Sequence, residues 1–271
     1  MTTASTSTSL LENKHAVIFG ASGEVGTGVA KEFAAQGATV FLSGRRLSAV
    51  SQLAAEIQQE SGRAYAAEVD ALDEQAVQAY LDGVAKEAGS IDILLNVTGP
   101  QPKDYGNGIN TLELPLEQFL LPLSTLVPSQ FITARAAARH MVQQQAGVIL
   151  FVTATPVRGM ANGSAIGAAF GAMESLLRCL TLDLSPKGVR VVGLRSGGMM
   201  ETRTIQQSVE NVARTLSISK EQVMSAIEQA SLLKNHSTVA NTARLAAFLA
   251  SDGAATITGA IVNATSGTLI D

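Results

Sequence analysis

A β-branched apolar run, Val17-Ile18-Phe19, leads into glycines at positions 20, 23, 26 and 28. The residues from Val25 to Ala30 then read as the opening of a helix. A strand, a glycine-rich turn and a helix N-terminus together make a place for a nucleotide pyrophosphate. Glycines let the backbone approach the phosphate oxygens, and the free N–H groups and dipole of the helix end favour negative charge. A second apolar run ends Leu42-Ser43-Gly44-Arg45-Arg46. An acidic residue at such a strand end would accept from a ribose 2′-hydroxyl, whereas an arginine accommodates a 2′-phosphate. The guanidinium offers that dianion a planar fork of donors. Arg45 and Arg46 therefore point to NADP(H), although Glu24 places a carboxylate within the phosphate turn.

The elements that must position these residues alternate along the whole chain. After the first strand, apolar runs at 38–42, 63–69, 91–95, 148–152, 189–194 and 260–263 predict six more. Helical periodicity fills 24–36, 47–60, 73–88, 129–145, 164–185 and 238–250 between them. Strands apolar on both faces and joined by helices imply one parallel sheet covered on both sides, doubly wound, with ligands at the strands' carboxyl ends. The 271 residues suffice for one such domain over 14–271, after a polar lead over 1–13 expected to be disordered. The stretch 200–237 interrupts the rhythm and is placed to act as a lid.

Composition removes several classes of function. Nineteen basic and 23 acidic residues give a net charge of −4, so nothing favours a nucleic acid or an anionic membrane surface as partner. No signal peptide is legible, and no apolar run approaches the roughly 18 residues of a membrane span. Three scattered histidines and one cysteine carry no metal-ligand spacing, so no metal site is expected. The lone Cys179 excludes an internal disulfide, fits a cytoplasmic location, and reads as a small core or interface residue.

Taken in order, these motifs resemble the short-chain dehydrogenase/reductase family from Lys14 to the end of the chain. Phe19-Gly20-Ala21-Ser22-Gly23-Glu24-Val25-Gly26-Thr27-Gly28 is similar to the family's TGASxGIGxG loop, with Phe for Thr and the middle glycine one place early. Asp70, followed by Ala71, matches the Asp that contacts the adenine edge, and Asn96-Val97-Thr98-Gly99 resembles the NNAG turn. Gly188-Val189-Arg190-Val191 is similar to the GIRV segment, and Ser196 and Gly197 stand where the family has a Pro-Gly turn near the nicotinamide. The resemblance implies a Rossmann-like, seven-stranded, doubly wound α/β fold. It also implies cofactor contacts from Gly20, Ser22, Gly23, Glu24, Val25, Gly26, Arg45, Arg46, Asp70, Ala71, Asn96, Thr98, Gly99, Ser196 and Gly197.

The family's oxidoreductases use a Ser and a Tyr-x-x-x-Lys pair, and here the gap-free match puts Ile166 and Phe170 at the Tyr and Lys places. Neither can donate a proton. Thr153 takes the serine place, and its hydroxyl is a candidate to bond a substrate carbonyl. Tyr105, near Lys103 in the loop after the fourth strand, is the stand-in proton donor, with an exposed loop aromatic as the alternative. Arg158 and Arg195 are candidates to clamp a carboxylate or polarise a carbonyl, and Arg195, following a buried strand, must find a partner of some kind. The catalytic set read from sequence is thus Thr153, Tyr105 and Arg195.

Pro122 and Pro128 predict that the fourth helix starts late, near 128–129, or kinks. The small residues of 129–145 and 164–185 resemble the family's dimerising helices and imply a homodimer or homotetramer. Three functions remain open on sequence: an NADP(H)-dependent reductase of a carbonyl or activated double bond with a non-standard proton source; a non-redox dehydratase, cyclase or epimerase on the same fold; and a catalytically inactive NADP-binding protein. Each acts on or binds a small molecule.

Overall fold

The structure is a computed structural model in which residues 9–270 are described. Seven parallel strands form one sheet: β1 (His15–Phe19), β2 (Thr39–Gly44), β3 (Arg63–Glu68), β4 (Ile93–Asn96), β5 (Gly147–Ala154), β6 (Val189–Ser196) and β7 (Ile261–Ala264). Their order is β3-β2-β1-β4-β5-β6-β7. The chain builds outward from β1 to β3, then returns to start β4 on the other side of β1. That reversal between β1 and β4 is the crevice where doubly wound sheets bind ligands.

The helices are α1 (Glu24–Ala35), α2 (Leu47–Gln59), α3 (Glu74–Ala88), α4 (Leu116–Gln144), α5 (Ser164–Leu184), α6 (Arg203–Leu216), α7 (Lys220–Ala230) and α8 (Val239–Ala250). Strand alternation divides the core between two faces. Ala16, Ile18, Leu42, Leu95, Leu150 and Leu194 pack with residues of α1, α2 and α8. Val17, Phe19, Phe41, Leu94, Ile149, Phe151 and Val191 pack with residues of α3, α4 and α5. Each Val, Leu, Ile or Phe side chain among them, sealed from water, contributes about 1.5–3 kcal/mol, so register errors that swap faces are strongly disfavoured.

Four expectations need correction. The helix expected to begin near 128 begins at Leu116, directly after Pro115, and runs through Pro122 and Pro128 without a break. Hydroxyls within it bond back to the preceding turn: Ser124 and Thr125 both donate to the Leu121 carbonyl, and Ser129 donates to that of Leu126, neither of which is a carbonyl that a proline leaves without its N–H. Of the lead expected to be disordered, residues 1–8 lie outside the described residues. The rest is packed: Leu11 is fully buried and its N–H bonds the Gln36 carbonyl at 2.8 Å. Cys179 is exposed on α5, which removes the core half of its core-or-interface reading. Finally, Ser164–Lys187 does have a span-like window of mean hydropathy 1.3, but the helix packs in the core against the sheet and α4.

Candidate active site

The glycine turn between β1 and α1 lies against the end of β4. Gly20 has φ +73°, and a Cβ there would stand 2.8 Å from the Thr98 nitrogen, so both conformation and space require glycine. A Cβ on Gly26 would meet the Gly20 carbonyl oxygen at 2.4 Å, which fixes how closely α1 abuts the turn. Gly23 is the N-cap of α1 and no side chain caps that helix end. Its first N–H groups are left to an external acceptor, and this fits a pyrophosphate.

The other residues expected at a cofactor stand in the first turn of α1 or at and just beyond the carboxyl ends of β2, β3, β4 and β6. Arg45 and Arg46 are exposed at the end of β2. A Cβ on Gly44 would come within 3.6 Å of the Ser22 hydroxyl, so the end of β2 sits beside the glycine turn. Val25 packs on the core beneath the turn. Asp70 is exposed and accepts from Leu72 N–H at 3.0 Å, while Ala71 is buried. Asn96 is structural in its contacts: its carboxamide donates to Thr133 at 3.2 Å and accepts from Thr98 N–H at 2.9 Å. A Cβ on Gly99 would meet Leu126 at 3.0 Å. Ser196 donates to the Thr153 carbonyl, and Gly197 N–H is taken by the Ser237 hydroxyl at 3.0 Å.

Glu24 does not face open solvent above the turn. Its carboxylate accepts from the Arg203 N–H at 2.9 and 2.8 Å and lies 3.5 Å from Arg203 Nε. Arg203 is the first residue of α6, so a residue of the phosphate turn caps the helix that opens the 200–237 segment. Glu201 caps α8 in the same manner, accepting from Val239 N–H at 2.6 Å.

Two catalytic expectations change. Thr153 and Arg195 are register partners on β5 and β6. Both fall in the strand phase that faces α5, in line with Phe151 and Val191. There they meet Glu174 of α5. Arg195 Nε and Nη2 each donate to a separate Glu174 oxygen at 3.0 Å, and the Thr153 hydroxyl donates to Oε1 at 3.1 Å. All three residues are at least 95 % buried. Arg195 is therefore a structural ion-pair partner rather than the substrate clamp expected, because its strand position points it at a helix carboxylate. In this geometry Thr153 likewise spends its one proton on Glu174 instead of a substrate carbonyl. Sequence reasoning passed over Glu174, although it is the lone charge in the mostly apolar stretch 164–177. That isolation was the available signal.

Tyr105 is not an exposed loop aromatic. It is 6 % exposed and packs with Ala165 and Ile166, alongside Leu114, Phe119, Leu121, Leu126 and Phe170. Its loop is pinned on two sides. Gly108 N–H bonds the Asn162 carbonyl, and the Thr215 hydroxyl of α6 bonds the Gly108 carbonyl, each at 3.0 Å. Burial among apolar groups pushes the Tyr105 phenol up to about 12. No group of His, Cys, Asp and Glu suited to a metal is present among the described residues. His140 pairs with Asp82 at 2.8 Å, between α3 and α4.

A nucleotide crevice at the sheet's reversal, on seven parallel strands, defines a Rossmann-type oxidoreductase scaffold. Residues 20–268 match the family model described as enoyl-(acyl carrier protein) reductase, and the chain belongs to the short-chain dehydrogenase/reductase family. It is 30% identical to the 7alpha-hydroxysteroid dehydrogenase of Escherichia coli (strain K12), over 70% of this chain and 72% of that one. It is 31% identical to gluconate 5-dehydrogenase of Gluconobacter oxydans (strain 621H), over 69% and 72%. Among solved structures it is similar to an NAD+-bound xylitol dehydrogenase: TM-score 0.87, 25% identity, covering 93% of this chain and 98% of that one. It is also similar to a 7alpha-hydroxysteroid dehydrogenase complexed with NADH and 7-oxo glycochenodeoxycholic acid: TM-score 0.83, 27% identity, covering 96% of each.

Proposed function

We propose that this protein is a cytoplasmic, NADP(H)-dependent reductase of a carbonyl or activated double bond, in which Tyr105 replaces the missing proton donor. The carrying observation is the packing of the Tyr105 ring on Ala165 and Ile166, the place the family's tyrosine would hold. NADPH, when bound, supplies the hydride. The protein's part is to bind it through the glycine turn and the arginine pair, and to give a proton from Tyr105 Oη. Reduction of an enone or enoyl group makes the least demand on that donor, since hydride addition at carbon leaves an enolate that surrounding dipoles can hold. A second reading, a non-redox enzyme or an inactive nucleotide binder, draws on Ile166 and Phe170 standing at the Tyr and Lys places of the resemblance, with Tyr105 buried beside them. Titrating NADPH and NADH by fluorescence, then following absorbance at 340 nm with ketones, enones and enoyl thioesters, separates them. Tight NADPH binding without consumption would favour the second.

The cofactor assignment rests on Arg45 and Arg46. Exchanging both for Ala is expected to lower NADPH affinity at least tenfold and to leave NADH nearly unchanged, since only NADPH carries the 2′-phosphate. Equal losses for both would reverse the assignment.

Glu24→Gln tests the carboxylate in the turn. Removing a negative charge beside the phosphates is expected to raise NADPH affinity about two- to fivefold, the worth of one charge at a helix end. The same fluorescence titration reads it, and unchanged affinity would mean that the Arg203 contacts already neutralise Glu24.

A homodimer or homotetramer completes the reading. Leu116, Leu120 and Phe131 on α4 and Leu182 on α5 are exposed apolar side chains on the two helices through which the resemblance implies association.

A further inference from the structure

Glu24 puts a carboxylate at the first position of α1, beside the helix end that no side chain caps. A carboxylate there opposes the approach of a pyrophosphate, which is itself negative. The structure meets that charge with Arg203. Its backbone N–H donates to both Glu24 oxygens, at 2.9 and 2.8 Å, and its Nε lies 3.5 Å from Oε1. The backbone bonds fix the root of the side chain beside the first turn of α1, and the ion pair holds Nε there. The rest of the guanidinium is unspent. The Arg203 side chain is 83% exposed, and neither Nη donates to an acceptor among the described residues. Arg190 shows the contrast: its two Nη groups donate to the carbonyls of Leu249, Ala250, Ser251 and Ile257.

We infer that Arg203 is a further cofactor-binding residue, which meets the dinucleotide pyrophosphate from the α6 side, with Glu24 as its positioning residue. The inference rests on the nucleotide reading of the glycine turn and does not require that hydride be transferred. Paired with Glu24, Arg203 cancels the carboxylate within the turn, and its free Nη donors present the planar fork that suits phosphate oxygens. The role differs from that of Arg45 and Arg46, which stand at the end of β2 for a 2′-phosphate. A pyrophosphate is common to NADPH and NADH, so Arg203 adds affinity for both and discriminates between neither. As the first residue of α6, it also ties the 200–237 segment to the bound dinucleotide.

Arg203→Ala separates side chain from backbone, because alanine keeps the N–H that Glu24 accepts. In fluorescence titrations at low salt, NADPH and NADH should each bind about tenfold more weakly, the worth of one hydrogen bond to a charged group. Arg203→Lys, still a cation, should lose less than about threefold. At about 1 M NaCl, where exposed charges are screened within about 3 Å, wild type and the Ala variant should differ by less than about threefold. A merely structural role at the start of α6 would leave the tenfold gap in place at high salt. The Ile205 and Gln206 amides, which bond the Thr202 hydroxyl and carbonyl, should exchange hydrogen alike in nucleotide-free wild type and Arg203→Ala. Faster exchange in the variant would assign the loss to the helix and overturn the inference. In a Glu24→Ala background, Arg203→Ala should cost less than about threefold, because the guanidinium is no longer held at the turn; a full tenfold cost there would remove Glu24 as the positioning residue. A low-salt loss under about threefold, a loss confined to NADPH, or a loss that high salt leaves unchanged overturns the role of Arg203. A wild type that binds neither dinucleotide is a separate result: it defeats the nucleotide reading itself, and this inference with it.

Discussion

Arg195→Met is expected to destabilise the fold by about 3–5 kcal/mol, the cost of leaving one partner of a buried ion pair uncompensated. Arg195 is 1 % exposed and Glu174 4 %, and the exposed Arg178, 3.6 Å from Glu174, lies too far to replace two 3.0 Å bonds. The orphaned carboxylate would sit between β5, β6 and α5 with Thr153 as its one close donor. Glu174→Leu combined with Arg195→Met should behave differently. Removing both charges replaces two desolvated ions by packed apolar groups, and such exchanges are commonly neutral or stabilising by about 1–4 kcal/mol. Urea denaturation at neutral pH gives both values. A single variant that loses under 1 kcal/mol, or a double variant no better than the single one, would show that this pair is not the buried linkage the geometry describes. Arg195→Lys is the intermediate case: it keeps the charge but forfeits the planar fork, and should fall between the two.

The same three residues mark the limit of what one-dimensional reading could reach. The sheet was legible because its inner strands, buried on both faces, are largely apolar, and the intervening helices carry a 3.6-residue period; the edge strands β3 and β7 are only partly buried. The glycine turn was legible because close backbone contact excludes side chains, and Gly20 against Thr98 is such a contact. The fourth helix starts earlier than expected because Pro122 and Pro128 break the local rule, while packing against the sheet overrides it. Arg195 was recognised as needing a partner, yet its choice between a ligand and Glu174 depends on strand register. Thr153 faces Arg195 only because β5 and β6 pair as they do, 42 residues apart in the chain. Tyr105 shows the same limit. No spacing rule aims a loop side chain, and its place over Ile166 follows from long-range bonds of Gly108 to Asn162 and Thr215. What sequence could say of it was that it stood near a cleft with nothing else to give a proton.

Tyr105→Phe is expected to lower NADPH consumption by about 10²–10⁴-fold, the usual worth of a positioned general acid, against the best substrate from the ketone, enone and enoyl-thioester panel. NADPH affinity should hold, because Tyr105 packs with Ala165 and Ile166 and belongs to neither the glycine turn nor the arginine pair. Stability should hold as well: the Tyr105 hydroxyl makes no hydrogen bond to another described residue, so deleting it breaks none. The pH dependence follows from burial. With the phenol pushed up to about 12, the neutral, proton-bearing form persists well beyond the ordinary range near about 10. Reduction should then show no loss attributable to this donor from neutral pH to about 11. The reverse reaction needs a phenolate to receive the alcohol proton, and at pH 7 that form is about 10⁻⁵ of the total, so oxidation should be far slower and rise with pH. The linkage to stability has the matching sign. A phenol whose folded value exceeds its unfolded one contributes fully below about 10, and that contribution is lost as the pH rises through about 12. Absorbance at 295 nm checks the titration directly: a late step near 12 should be present in wild type and missing in the Phe variant. Retention of more than a tenth of wild-type consumption by Tyr105→Phe would remove Tyr105 from the reaction and leave water as the proton source, which only an enolate product could tolerate.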